Sequence, residues 1–130
     1  MRGSDLEAFL TGERSGMEFQ ARIQGEVRAW TAKLSERGRS APITLLGPTR
    51  GFEVTPAAAM RLLDALIGSE LSGPAFAYVL DALLMSDAYR WTSEPVRESL
   101  EAVLSVEAEC EIDMGRAWKA RRELGELDWK

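Results

Sequence analysis

The side chains of this chain that could do chemistry are almost all carboxylates. Twenty-one Asp and Glu stand against sixteen Lys and Arg, with one cysteine and no histidine. Without imidazole there is no access to the commonest general base, the usual zinc ligand, or any Ser-His or Cys-His nucleophile. Cys110 therefore has no histidine to activate it and reads as an ordinary thiol near a helix end. Gly47-Pro48-Thr49-Arg50-Gly51 has two glycines but neither the spacing nor the lysine of a phosphate-binding P-loop. No catalytic residue, cofactor site or metal site is assigned on this pattern.

Carboxylates alone can still hold Mg²⁺ for pyrophosphate hydrolysis. Glu98-x-x-Glu101 followed by Glu123-x-x-Glu126 resembles the paired motifs of small all-α nucleotide pyrophosphatases of the MazG type. The second motif ends in glutamate where that family has aspartate. Glu98 and Glu101 also fall on the polar flank of their helix, away from Leu100 and Val103. A Mg²⁺-dependent pyrophosphohydrolase is accordingly the third of three readings.

Charge is distributed unevenly. Residues 1–54 hold eight basic and seven acidic side chains, and residues 55–130 hold eight and fourteen, a net −6 in the second part. Glu94, Glu98, Glu101, Glu107, Glu109, Glu111 and Asp113 face a single Arg97 over twenty residues. Such a run is either a solvated helix face, with Glu111 and Asp113 favouring the positive start of the next helix, or a docking surface for a basic partner. Nucleic acid is not the expected partner, because a binder of phosphates carries a basic face. Asp81 is the one charged residue between Leu71 and Ser86 and is expected to be a buried, hydrogen-bonded anchor, with Arg61 or Arg90 as its counter-charge. Tyr89 and Trp91, on either side of Arg90, are interface anchors or the rim of a core.

The elements that must position these residues are mostly helical. Ser4 is expected to cap a short helix through Leu6, Phe9 and Leu10, ended by Gly12. Ser15 and Glu18 have capping-box spacing, and Phe19, Ile23, Val27, Trp30 and Leu34 follow as one apolar stripe, with Gly38 as the stop. Gly25 inside that stripe's helix is explained by a close helix crossing or by nothing in particular. Ile43–Leu46 and Phe52–Val54 flank a turn-rich stretch, predicting a small β-hairpin or an extended loop near residues 43–54. Thr55-Pro56 and Ser72-Gly73-Pro74 open two more helices, the first with Met60, Leu63 and Ile67 on one face. The second is apolar nearly all round, from Phe76 to Met85, and should be central. Ser93-Glu94-Pro95 caps a helix with Val96, Leu100, Val103 and Leu104 inside. A last helix from about Asp113 carries Met114, Ala117, Trp118, Arg121 and Leu124, with Leu127 and Trp129 as a terminal anchor.

The fold class expected is all-α, a compact bundle of about six helices in one domain over residues 1–130. Apolar residues at 45% and charged residues at 28% fit an ordinary globular domain of 130 residues. Met-Arg-Gly-Ser at the start reads as an expression-vector scar or as disordered, with no functional weight. One cysteine, no apolar run long enough to span a bilayer and no apolar leader point to a cytoplasmic protein with no membrane partner.

The run Tyr78 to Ser86, then Tyr89-Arg90-Trp91 and Glu109-Cys110-Glu111-Ile112-Asp113, resembles small helical immunity proteins of bacterial polymorphic-toxin and contact-dependent inhibition systems. The resemblance spans roughly the second half of the chain and rests on no diagnostic motif. It implies non-catalytic binding of a cognate toxin, often through acidic residues. The leading expectation is therefore an immunity-type inhibitor that covers a basic toxin domain, and the alternative is a helical assembly module that dimerises through Trp91.

Overall fold

Three of the six helices described in the computed structural model, the second, third and fourth, start where a short polar side chain closes the first turn. The structure describes residues 1–37, 52–86, 89–103 and 114–129, the side chains of 34–37 and 127–129 excepted. The first helix, α1 (Gly3–Leu10), is an exception. Its cap is Arg2, not Ser4: the Arg2 carbonyl accepts from Asp5 and Leu6 while its side chain makes no cap bond, which places Ser4 inside the first turn. Met1 is buried against the core, and residues 1–4 are part of the fold. Helix α2 (Gly16–Arg37) opens as expected, with Ser15 Oγ accepting from the Glu18 N–H at 3.2 Å.

Strand β1 (Phe52–Val54) leads into α3 (Pro56–Ile67), where Thr55 Oγ1 accepts from Ala58 N–H at 3.1 Å. Helix α4 (Gly73–Met85) starts on Ser72, whose Oγ accepts from Ala75 N–H at 3.2 Å. Strand β2 (Tyr89–Trp91) then runs parallel to β1, in the register Phe52 to Tyr89, Glu53 to Arg90 and Val54 to Trp91. Helix α5 (Glu94–Glu101) follows Ser93, which makes no side-chain cap bond, and α6 (Met114–Trp129) closes the order. The strand expected at Phe52–Val54 is thus present, and its described partner is the aromatic segment after α4. Two helices intervene, which is the kind of crossover that parallel strands require. The other expected hairpin arm, Ile43–Leu46, and the stops and turns at Gly38 and Gly47–Gly51 lie outside the described residues.

The helices meet through the stripes read from the sequence, with corrections at their edges. Phe19, Ile23, Val27 and Trp30 of α2 are all buried. Phe9 stacks on Phe19 at 4.8 Å between centroids, joining α1 to α2, and Trp30 meets Tyr78 edge-on at 5.4 Å, joining α2 to α4. Each large apolar side chain so removed from water contributes about 1.5–3 kcal/mol. Helix α3 buries Leu62, Leu63 and Leu66 with Ala58, Ala59 and Ala65, while Met60 and Ile67 are only partly covered. Helix α4 is central through Leu83, but Met85 is 67% exposed where the helix leaves the core. Helix α6 lies along α3 and beside α5. It buries Ala117, Ala120 and Leu124 and leaves Met114 and Trp118 exposed.

Candidate functional site

Two tyrosines and two glutamates tie the helices across the core boundary. The Tyr78 hydroxyl on α4 donates to Glu26 Oε2 on α2 at 2.9 Å, and the Met1 ammonium meets the same carboxylate. The Tyr89 hydroxyl donates to Glu7 Oε2 on α1 at 3.3 Å. Burial first, then the hydrogen bond to Glu26 and its charge, hold the Tyr78 hydroxyl well above the ordinary tyrosine value. Burial, then the Glu7 charge and the hydrogen bond to it, do the same for Tyr89. Both phenols stay protonated donors at neutral pH, as tethers require.

This placement corrects one expectation of the sequence. Tyr89 is 5% exposed and packs edge-on against Phe52 at 5.7 Å, so it is a core residue and not a partner contact. Pairing with β1 is the cause, because strand alternation turns Tyr89 inward and Arg90 outward. Trp91 is partly buried against the core. Asp81 keeps an interaction with the rest of the protein but is only partly buried, less than expected, because the later part of α4 emerges from the core on that side.

Two cavities hold further charged groups. One of about 260 Å³ lies among the α1–α2 turn, α2 and α3, lined by Arg14, Ser15, Arg61, Asp64 and Glu70 among others. Arg14 is paired with Asp5, and Arg121 Nε donates to Asp64 Oδ1 at 2.7 Å, so both are committed to the fold. The Arg61 guanidinium lies against Gly12, where a Cβ would come within 2.3 Å of Nη1. The other cavity, of about 180 Å³, is lined by Arg2, Asp5, Arg22 and Glu26. Arg22 Nη1 is 3.5 Å from Asp5 Oδ1 there.

The acidic segment survives in part as a surface. Glu94, Glu98 and Glu101 are exposed on one side of α5, opposite Val96, Ser99 and Leu100. Arg97 Nη2 donates to Glu94 Oε2 at 2.6 Å, and its Nε is 4.0 Å from Glu101 Oε1, which leaves this face with three carboxylates and one cation. Glu107, Glu109, Cys110, Glu111 and Asp113 lie outside the described residues. Glu123 and Glu126 are exposed on α6. Among the described residues no three acidic, cysteine or histidine side chains converge as metal ligands, so the two E-x-x-E pairs form no common cluster. No helix among them is long and apolar enough to cross a membrane.

Helix α6 carries an exposed surface that the sequence reading did not single out. Trp118 is 61% exposed and Met114 42% exposed, with Arg122 exposed one turn beyond Trp118. The signal that could have found it is the pair Ala117 and Ala120, whose small side chains let α6 approach its neighbours closely.

Comparison of the chain with protein-family models, with curated proteins and with solved structures finds no match.

Proposed function

We propose that the chain is a cytoplasmic, non-catalytic binding protein that receives a basic protein partner on the solvent face of α5, as an immunity-type inhibitor covers a toxin domain. The observation that supports this reading is the row Glu94, Glu98 and Glu101, solvent-facing and opposed by one arginine that is itself held within the row. Exposed carboxylates of this kind contribute modestly to equilibrium affinity. Their larger effect is on the rate of encounter with a cationic surface and on the rejection of acidic competitors.

The test is capture from native lysate by the wild-type chain and by E98K/E101K, compared side by side. Retention of a basic protein by the wild type, its loss from the variant and its release by salt support the reading. The same proteins held equally on both baits contradict it. Incubation with nucleoside triphosphates and Mg²⁺ is expected to give no turnover; hydrolysis abolished by Glu98→Gln or Glu123→Gln would replace binding with catalysis.

A further inference from the structure

We propose that the cavity of about 260 Å³ beside the start of α2 is a binding site for a small zwitterion, a free α-amino acid, held by Arg61 at its carboxylate and by Glu70 at its ammonium. Both side chains line the cavity, and left-handed backbone places each of them there. Gly12 has φ +86° and no side chain, so the Arg61 guanidinium can lie directly on the turn between α1 and α2. Ser69 has φ +63° just after α3, and the Glu70 and Leu71 N–H groups then donate back to the Ala65 carbonyl. This reversal sets Glu70 against Gly16, where its Cβ and Oε1 would each lie 3.1 Å from an added Cβ. The positive end of α2 favours a carboxylate at that place.

Pairing inside the protein decides which charges are left for a ligand. Arg14 is bonded to Asp5, and Asp64 to Arg121. Among the described residues Arg61 and Glu70 have no ion pair and no side-chain hydrogen bond, with each other or with any other group. A simple anion drawn to Arg61 meets the Glu70 charge, and a simple cation drawn to Glu70 meets Arg61. A molecule that carries both charges satisfies the two at once, and the site selects against either half alone. The volume lies near the low end for small-molecule sites and suits a ligand of amino-acid size. Phe9 and Ala65 give the ligand's side chain an apolar wall. None of Glu94, Glu98 and Glu101 lines this cavity, so the inference does not rest on the α5 row.

The experiment is calorimetric titration of the pure chain with each of the common free amino acids, and with acetate and methylamine as probes that carry one charge each. At least one amino acid should bind saturably, and acetate and methylamine should bind at least ~10-fold more weakly. Arg61→Gln and Glu70→Gln should each weaken the bound amino acid at least ~10-fold. Both variants should keep the wild-type melting profile without ligand, because neither side chain is paired within the protein. E98K/E101K should bind the amino acid as the wild type does. No binding by any amino acid at about 10 mM, a concentration at which even weak ligands of a folded protein register, overturns the inference. So does a bound amino acid indifferent to Arg61→Gln and Glu70→Gln. Acetate or methylamine bound as tightly as the amino acid also overturns it, since the cavity would then read a single charge.

Discussion

Tyr78 on α4 and Glu26 on α2 share a hydrogen bond of 2.9 Å across fifty-two residues of sequence. The bond works in one protonation state of the phenol, and the raised value of its hydroxyl, like that of Tyr89 over Glu7, sets the sign of a pH effect. Below about pH 10 both the folded and the unfolded chain hold the phenolic protons, and the contribution is complete. Above it the unfolded chain releases protons that the folded chain retains, so stability falls as pH rises.

Thermal melts of the wild type should therefore move to lower temperature from about pH 10 upward. Y78F/Y89F should flatten that alkaline dependence while lowering stability at neutral pH by about 1 kcal/mol for each lost bond. An alkaline slope identical in both proteins would show that the two tyrosines are not its source.

Two glycines should respond with opposite sign. Gly25 sits in α2 with nothing within 4 Å of an added Cβ, so no helix crossing explains it. Gly25→Ala should stabilise the protein by about 0.5–1 kcal/mol in chemical denaturation. Gly12 has φ +86°, which disfavours any side chain, and Arg61 covers it. Gly12→Ala should destabilise by about 1–2 kcal/mol. Because the exposed end of Arg61 can swing aside, that loss should persist in an Arg61→Ala background. Full recovery there would place the cost in the contact and not in the backbone.

The helix caps separate by whether the side chain is bonded. Ser15→Ala, Thr55→Ala and Ser72→Ala each remove an observed acceptor and should lower stability by about 0.5–2 kcal/mol. Ser93 holds the cap position of α5 without a side-chain bond, so Ser93→Ala should change stability by less than about 0.5 kcal/mol. Equal losses at all four positions in urea titrations would contradict the cap assignments.

The caps at Ser15, Thr55 and Ser72 and the stripe from Phe19 to Trp30 were legible in the sequence because each is a local pattern, complete within one or two helical turns. The pairing of Phe52–Val54 with Tyr89–Trp91 was not, since nothing local selects a strand partner across two helices. That pairing carried Tyr89 inward, and with it one of the expected contact residues. The exposed face of α6 was not legible for a different reason. On α6 a stripe through Met114, Trp118 and Arg121 is as regular as one through Ala117, Ala120 and Leu124, and alanine gives little hydrophobic signal. Packing along α3 decides it: Arg121 sits between Asp64 and Met60 at the edge, and the alanines go inside. Asp81 was expected to be buried from the company it keeps in sequence, although only the earlier part of α4 is enclosed on all sides.

The most direct measurement of the central claim is the association rate of the captured partner with the wild-type chain and with E98K/E101K over a range of salt concentrations. If the α5 row receives a basic protein, reversal of these two charges slows association at least ~10-fold at low ionic strength, and the two rates converge as salt screens the encounter. Rates and affinities that are the same for both chains at every salt concentration would contradict it.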